Sequence, residues 1–335
     1  ARLRFTMPDT VDPRVVILDI DEKSLAVPEL GRWPWGRDQL STLMEKLFDK
    51  YGVLMVGFDV VFAEPDESSG LKVLDRLAKQ ELRDVPQFRE SLDKLRPGLD
   101  HDAMFAKTIK QRPVVLGYYF NADANATVSG VLPEPVLPAG TFASRNIKFH
   151  SMKGYGSNIP SIQQGAALAG HFNPEVDQDG VVRRVPLLME YKGKYYEALS
   201  LAMVRLLVGF KQAQEKKSQT ITLPAVLPGY PSDGFISKGY SGLEWLEVGP
   251  LKIPVDDRVT AQIPYRGGRA SFPYISLADV FFDKVPLEQL QGKIVLVGTT
   301  APGLLELRSS PVDRVYPGVE VHANMIAGML DGTIK

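Results

Sequence analysis

The chemistry that this sequence can support is concentrated in a group of carboxylates in its first 66 residues. They follow two short apolar segments, and they are Asp19, Asp21, Asp59, Glu64 and Asp66. In open α/β sheets, ligands bind beyond the carboxyl ends of the parallel strands. Carboxylate oxygens at such an edge suit a divalent metal, Mg²⁺ or Ca²⁺. The five side chains are therefore expected to converge on one ligand-binding edge of a sheet.

Asp19 and Asp21 lie two residues apart at a strand exit, and three interpretations are open for them. Their spacing is similar to the Asp-x-Asp of haloacid-dehalogenase-type phosphotransferases, where one Asp is a nucleophile beside Mg²⁺. That chemistry also needs an acidic pair on a late strand, which here carries hydroxyls. The second alternative is a metal held by Asp19, Asp21 and Asp59 without chemistry. In the third, which we favour, the two carboxylates accept hydrogen bonds from loop backbone and from Arg37.

The loop after the first acidic pair carries further candidate ligand contacts. It runs from about residue 22 to residue 36, longer than the usual connection of roughly 2–6 residues between a strand and a helix. Trp33 and Trp35 could stack on an aromatic or cationic ligand, or they could cover the top of the sheet with Pro34 as a stiff spacer. We predict the covering role for them and count both, with Arg37, as candidate site residues.

A strand, a helix and a second strand position these side chains. Val15 to Asp21 is apolar until its acidic end, and Val53 to Phe62 is apolar almost throughout, as in a strand covered on both faces. Between them, apolar residues recur at helical spacing from Leu40 to Tyr51. This order predicts a parallel unit with a right-handed crossover.

The C-terminal end of the chain shows a similar sequence pattern. Lys293 to Thr300 reads as a parallel strand that ends in two hydroxyls, so Thr299 and Thr300 join the candidate ligand-binding residues. The two ends must pair in one sheet, because neither has enough strands alone. The middle reads as an antiparallel hairpin over Val181 to Tyr196 and short strands over residues 219–266. The prediction is an α/β fold with a mostly parallel sheet and an antiparallel middle lobe.

Helices and domain limits complete the expected organisation. Helices are predicted at 67–98 (a charged pair broken at Pro86 and Pro97), 100–111, 161–170, 198–208, 276–282 and 319–330. The expected limits are a membrane-proximal segment at 1–14, a domain at 15–332 with its α/β core at 15–120 and 290–332, a middle lobe at 150–270, and a helical insertion at 67–98.

Composition excludes several classes of function. The 335 residues include 39 basic and 40 acidic side chains, a net charge of −1, so nothing favours nucleic acid. The absence of cysteine excludes a thiol nucleophile and a thiolate metal site. The four histidines lack the spacing of a zinc enzyme, and no nucleotide-binding motif is present. No apolar run reaches 18 residues, and we expect a segment excised from a longer, membrane-anchored protein.

Five blocks of the chain together resemble the CHASE type 2 domain. They are residues 16–25, the Gly31-Arg32-Trp33-Pro34-Trp35-Gly36-Arg37 loop, residues 56–66, residues 172–173 with 177–187 (which include Asp177-Gln178-Asp179-Gly180), and residues 292–301 with 317–323. The resemblance implies an extracytoplasmic, periplasmic sensory domain of a bacterial inner-membrane protein, between membrane helices, with an adenylate cyclase or a histidine or serine/threonine kinase as output.

The same resemblance implies a homodimer in the parent protein and leaves the small-molecule or protein stimulus open. Ala1 to Thr10 and Ala323 to Leu330 are the predicted transmission segments. Two competing hypotheses remain at this stage. One is a metal-dependent phosphohydrolase that uses Asp19 and Asp21, and the other is a protein-interaction module that uses residues 67–98.

Overall fold

The computed structural model describes residues 7–31, 33–231, 242–301 and 307–335. Its strands are β1 (Val15–Ile20), β2 (Met55–Phe58), β3 (Val114–Asn121), β4 (Val128–Ser129), β5 (Gly154–Gly156), β6 (Leu168–His171), β7 (Glu175–Val176), β8 (Val182–Pro186), β9 (Leu188–Tyr191), β10 (Lys194–Glu197), β11 (Val226–Gly229), β12 (Trp245–Val248), β13 (Leu251–Pro254), β14 (Thr260–Gln262), β15 (Tyr274–Ser276), β16 (Ile294–Thr299), β17 (Leu307–Arg308) and β18 (Tyr316–Pro317).

The helices are α1 (Glu22–Leu25), α2 (Arg37–Glu45), α3 (Leu71–Lys79), α4 (Pro86–Leu99), α5 (His101–Ile109), α6 (Pro160–Gly165), α7 (Leu199–Glu215), α8 (Leu277–Phe281) and α9 (Gly318–Asp331). A π-helical turn continues α2 over Lys46–Lys50, and a 3-10 turn at Leu287–Gln289 precedes β16. Within the described ranges, no helix combines the length and the apolar character needed to cross a membrane.

The largest sheet is mostly parallel and joins the two ends of the chain. Its order is β15-β1-β16-β2-β3, with β6 parallel and β5 antiparallel to β3. β16 lies between β1 and β2, so that Val295 is paired with Val16 on one side and with Val56 on the other. The predicted α/β class and the pairing of both chain ends in one sheet are confirmed.

Helices cover both faces of this sheet, which explains why its strands are mostly apolar. Alternate residues of β1 enter two different cores: Val15 and Ile17 lie in the core beneath α7 and α9, whereas Val16 and Leu18 lie in the core beneath α2, α5 and α8. The side-chain period of two along a strand produces this division. β1 is therefore fixed from both sides, and its acidic end is held in place.

The middle of the chain forms small antiparallel sheets, with one correction to the predicted hairpin. Only β9 and β10 form it, around Lys192 and Gly193, whose positive φ values of 51° and 78° suit a tight hairpin turn. β8 pairs instead with β7 and β14. Pro186 has no N–H to donate and ends β8, which separates it from the hairpin. Residues 232–241 of the predicted short-strand region lie outside the described residues.

A second correction concerns the helix predicted over residues 161–170. α6 ends at Gly165, and Leu168–His171 is strand β6, parallel to β3. The segment is a strand because it pairs with β3 at the edge of the parallel sheet. Gly170 allows the close packing of α7 on this strand, because a Cβ atom there would lie 2.5 Å from the Leu199 backbone.

The charged stretch at 67–98 forms the helices α3 and α4, as predicted, but α4 does not break at Pro97. It begins with Pro86 in its first turn and runs through Pro97 to Leu99. A proline this close to a helix end removes few backbone hydrogen bonds. Asp100 then caps α5, the helix predicted at 100–111, by accepting a hydrogen bond from the backbone N–H of Ala103 at 3.0 Å.

Candidate functional site

A cavity of about 560 Å³ opens at the carboxyl edge of the parallel sheet, where β2 and β16 end. Its wall combines three regions of the chain: the segments around β2, the aromatic residues beside β3 and β6, and the start of α9. The lining residues are Trp33, Pro34, Arg37, Asp59, Val60, Val61, Phe62, Ala63, Glu64, Tyr119, Phe172, Asn173, Pro174, Val185, Thr299, Arg308, Gly318, Val319, Val321 and His322.

The structure brings half of the ten candidate site residues to this cavity. Those that line it are Trp33, Arg37, Asp59, Glu64 and Thr299. The candidates that do not line it are Asp19, Asp21, Trp35, Asp66 and Thr300. The predicted edge of the sheet is therefore where a cavity forms, but the acidic pair of β1 contributes no lining side chain.

Asp19 is 7% exposed, and its carboxylate is bound by Thr300. It accepts hydrogen bonds from the Thr300 backbone N–H at 2.8 Å and from the Thr300 hydroxyl at 2.5 Å. Burial raises the pKa of Asp19 and outweighs these two hydrogen bonds, which lower it. The interaction joins the ends of β1 and β16, so Asp19 holds the sheet edge together.

Asp21 caps the short helix α1. It accepts hydrogen bonds from the backbone N–H of Ser24 at 2.8 Å, from the Ser24 hydroxyl at 2.6 Å and from the Ser276 hydroxyl at 2.9 Å. The partners of both carboxylates are thus hydroxyl and backbone groups, as in the structural interpretation. Arg37, which that interpretation also named, contacts neither Asp19 nor Asp21 among the described ion pairs and hydrogen bonds.

The three proposed metal ligands do not converge. In the described part of the chain, Asp19, Asp21 and Asp59 form no group with ligand atoms within 4.8 Å of one another. Such a group is instead formed by Asp38, Asp66 and His101. A metal held by Asp19, Asp21 and Asp59 stays a prediction without geometric support.

Arg37 is the buried cation beneath the cavity wall. It is 6% exposed, its guanidinium lies 4.6 Å from the centre of the Phe62 ring, and Nη1 donates to the Trp35 carbonyl at 3.2 Å. Its Nε lies 3.7 Å from the Asp102 carboxylate, and burial lowers the pKa of Arg37. Asp66 accepts a hydrogen bond from the Arg37 backbone N–H at 2.5 Å. Arg37 thus fixes the start of α2.

The two tryptophans divide the roles that the sequence left open. Trp35 is 2% exposed, and its indole N–H donates to the Gly31 carbonyl at 3.1 Å, so it covers the sheet. Trp33 packs edge-on against Trp35, with ring centroids 5.3 Å apart, and is one of the residues that line the cavity. Trp33 is therefore positioned to contact an occupant.

Tyr119 and Phe172 supply a second aromatic surface of the cavity wall. Their ring centroids are 6.1 Å apart, and Tyr119 is 40% exposed. Gly117 makes room for Phe172, since a Cβ atom there would lie 2.8 Å from that ring. Sequence reasoning did not identify these rings, because Tyr119 lies on β3 and Phe172 directly follows β6, and these two strands come together only in the folded sheet.

The first turns of α9 carry the residue that the sequence analysis most clearly missed. His322 is 3% exposed and lines the cavity, and its Nδ1 finds no hydrogen-bond partner among the described residues. Burial lowers its pKa to about 4, so the imidazole is neutral at pH 7. Its Nε2 lies 3.8 Å from the Asp59 carboxylate. The only sequence signal was a histidine in the first turn of the helix predicted at 319–330.

Glu320 does not cap α9 with its side chain. Its carboxylate accepts hydrogen bonds from the backbone N–H of Ser271 at 2.8 Å, from that of Ala270 at 3.2 Å and from the Tyr274 hydroxyl at 2.8 Å. Burial raises the pKa of Glu320 against the opposing effect of these bonds. This residue ties α9 to the segment that leads into β15, next to β1.

Fold and site together define a mixed α/β domain with a cavity at the carboxyl edge of its sheet. The family model for the CHASE2 domain matches residues 1–335, and the chain belongs to this family. The predicted resemblance is thereby confirmed. CHASE2 domains are sensory, extracellular domains of signalling proteins and are not catalytic. No curated protein and no solved structure matches the chain.

Proposed function

We propose that the chain is the periplasmic sensory domain of a bacterial inner-membrane receptor, and that the sheet-edge cavity is its sensing site. The position of α9 is the observation that carries this proposal. Its first two turns line the cavity. At its other end, Asp331 forms an ion pair with Arg14, the residue before β1, at 2.8 Å. One helix thus contacts both the cavity and the described ends of the chain.

The length and the tight packing of α9 favour its movement as one rigid unit. Its 14 residues span about 21 Å at 1.5 Å per residue. Almost every side chain of the helix is buried, and Gly298 of β16 approaches so closely that a Cβ there would lie 2.6 Å from Val319. A ligand shifts such a helix only if it binds one arrangement more tightly than the other.

The segments beyond Asp331 and before Arg14 lie side by side. Met7 and Pro8 share a second cavity, of about 260 Å³, with Thr333 and Lys335. A displacement of α9 would therefore act on the N-terminal and C-terminal segments together, and from there on flanking membrane helices. Residues 1–6 of the predicted transmission segment lie outside the described residues. We further propose that the parent protein is a homodimer with a cyclase or kinase output.

A cavity-filling substitution tests this function in the full-length receptor. Val61→Trp places an indole in the cavity, since Val61 lines it and is half-buried. We expect the output activity measured in membranes to change at least fivefold and to lose its response to the natural stimulus. Val73→Trp is the matched control, because Val73 is 51% exposed on α3 and does not line the cavity. Equal output from wild type and both variants would contradict the proposal.

A further inference from the structure

Three side chains with metal-binding atoms come together outside the sheet-edge cavity. They are Asp38 in the first turn of α2, Asp66 in the segment after β2, and His101 at the start of α5. Each offers one ligand atom, and these atoms lie within 4.8 Å of one another. None of the three residues lines the cavity. The group is therefore separate from the proposed sensing site.

The ligand atoms have the spacing of a metal coordination shell. The Nδ1 atom of His101 lies 3.3 Å from Oδ1 of Asp38 and 3.5 Å from Oδ2 of Asp66. Zinc binds imidazole nitrogen and carboxylate oxygen at roughly 2.0–2.2 Å, which separates neighbouring ligands of a tetrahedral site by about 3.4 Å. A metal ion among these atoms would thus require little rearrangement of the three side chains.

A proton on His101 cannot serve both carboxylates equally. A neutral imidazole either carries one proton on Nδ1, which it donates to a single acceptor, or turns the lone pair of Nδ1 towards both carboxylates. Among the described residues, no lysine or arginine side chain forms an ion pair with Asp38 or Asp66. A divalent cation bound by Nδ1 would neutralise both carboxylates at once.

Two buried polar atoms beside this group also lack partners. Asp102 follows His101, and its Oδ2 accepts a hydrogen bond from the Asp66 backbone N–H at 2.9 Å. Its Oδ1 and the Nε of Arg37, a residue that is 6% exposed, lie 3.7 Å apart, and neither forms a hydrogen bond within the described ranges. Buried polar atoms without partners cost free energy. A water molecule on a bound metal ion would donate to Asp102, as outer carboxylates do in metal sites.

Backbone donors hold Asp66 in place as a ligand. Its Oδ2 accepts a hydrogen bond from the Arg37 N–H at 2.5 Å, and its Oδ1 accepts one from the Ser68 N–H at 2.6 Å. Burial alone would raise the pKa of Asp66, but these bonds lower it overall, so the carboxylate is ionised at neutral pH. The side chain of Asp38 is 44% exposed, which gives an ion access from solvent.

We propose that Asp38, Asp66 and His101 bind one divalent transition-metal ion of the Zn²⁺ class, with water in the remaining position. The mixed nitrogen and oxygen donor set favours such an ion over Mg²⁺ or Ca²⁺, which prefer oxygen ligands alone. The ion would join α2, α5 and the segment after β2. Because residues 59–64 of that segment line the cavity, the bound ion would also hold one part of the cavity wall in place.

Calorimetric titration of the purified 335-residue chain with ZnCl₂ at pH 7.5, after metal has been removed with a chelator, tests the site. We expect one Zn²⁺ to bind per chain, and CaCl₂ and MgCl₂ to bind at least tenfold more weakly. Absence of Zn²⁺ binding would overturn the proposal and leave a cluster joined by hydrogen bonds alone. Tighter binding of Ca²⁺ or Mg²⁺ than of Zn²⁺ would overturn the assigned class of metal.

Matched variants locate the ion. Asp38→Asn and His101→Gln should each weaken Zn²⁺ binding at least tenfold. Asp84→Asn and His150→Gln are the controls, because the Asp84 side chain is 86% exposed and neither residue belongs to a group of potential metal ligands in the described part of the chain. Circular dichroism checks that each variant is folded. Zn²⁺ binding that Asp38→Asn and His101→Gln both retain would overturn the assigned site.

Nuclear magnetic resonance of the histidine rings gives a readout that does not depend on the variants. The chain has four histidines, so their imidazole nitrogen signals can be followed one by one. Zn²⁺ should shift the Nδ1 signal of His101 and leave the signals of the other three rings unchanged. An unshifted His101 signal at saturating Zn²⁺ would contradict the proposal. The result is independent of the Val61→Trp test of the sensing role.

Discussion

Arg14 and Asp331 form a two-pronged ion pair, with Nη1 to Oδ1 and Nη2 to Oδ2 both at 2.8 Å. The pair joins the residue before β1 to the last residue of α9, although 317 positions separate them in sequence. Asp12 and Arg266 extend it into a network, since Arg266 contacts Asp12 at 3.2 Å and Asp331 at 3.0 Å. The two ends of the described chain are thus held at one place.

Within this network, the buried carboxylate should matter more to stability than the exposed one. Asp12 is 3% exposed and accepts hydrogen bonds from the Arg14 backbone N–H and side chain. Burial alone would raise the pKa of Asp12, but these bonds to Arg14 lower it overall. We expect Asp12→Asn to reduce the free energy of unfolding by about 2 kcal/mol, and Asp331→Asn by about 0.5 kcal/mol. Urea unfolding measures both, and equal losses would contradict this ranking.

Removal of the Thr300 hydroxyl, which donates to the buried Asp19 carboxylate, should reduce the stability of the domain. Thr300→Val removes the hydroxyl and leaves one oxygen of a buried carboxylate without that donor. We expect a loss of about 1–3 kcal/mol in the free energy of unfolding. Thr42→Val is the control, because the Thr42 hydroxyl bonds a helix carbonyl at an exposed position. A loss of unfolding free energy no larger than that of the control would show that the hydrogen bond from the Thr300 hydroxyl to Asp19 does not stabilise the fold.

The close approach of α9 to β16 makes a third stability prediction. Gly298→Ala places a Cβ 2.6 Å from the Val319 side chain, so the helix or the strand must shift. We expect a loss of about 1–3 kcal/mol from overpacking. Gly268→Ala is the matched control, because nothing lies within 4 Å of its added Cβ and its backbone is not left-handed. Equal stability of the two variants in urea unfolding would contradict the tight contact.

His322 should make the domain less stable in mild acid. Its pKa is lowered by burial from 6.5 to about 4, so between these values the unfolded chain binds a proton that the folded chain does not. The free energy of unfolding therefore rises with pH across this window. The contribution of His322 is fully present above pH 6.5 and is lost as the pH falls towards 4. Between pH 7.5 and pH 5, this group alone should account for roughly 2 kcal/mol.

The variant His322→Gln isolates that effect, because other titrating groups remain in both proteins. The difference in unfolding free energy between pH 7.5 and pH 5 should be smaller in the variant by about that amount. The same pH dependence in wild type and variant would mean that the pKa of His322 does not differ between the folded and the unfolded chain. The measurement requires only urea unfolding curves at the two pH values.

The sequence predicted the sheet well because its signals are local. The apolar runs that end in Asp19 and Thr299 mark buried parallel strands, and the two segments could only pair with each other. The cap at Asp100 and the turn at Gly193 follow from residues within four positions of one another. Such features depend on local backbone conformation, which the neighbouring residues in the sequence determine.

The site was predicted only in part, because its contacts are distant in sequence. Asp19 lies near the carboxyl end of β1, at the predicted edge of the sheet. Its carboxylate, however, accepts a hydrogen bond from Thr300, which is 281 residues away in sequence. Tyr119, Phe172 and His322 reach the cavity only after β3, β6 and α9 have packed together. β6 itself was interpreted as helix, since nothing local to Gly170 indicates that Leu199 would pass above it. Tertiary packing decided each of these outcomes.

The most direct test of the account is hydrogen–deuterium exchange of the purified chain carrying Val61→Trp, compared with Val73→Trp. If the state of the cavity is transmitted along α9, filling it should change amide protection in α9 and also at residues 7–14 and 329–335, with the control identical to wild type. A change confined to the cavity wall, with unaltered protection around Arg14 and Asp331, would contradict the coupling of the cavity to the ends of the chain.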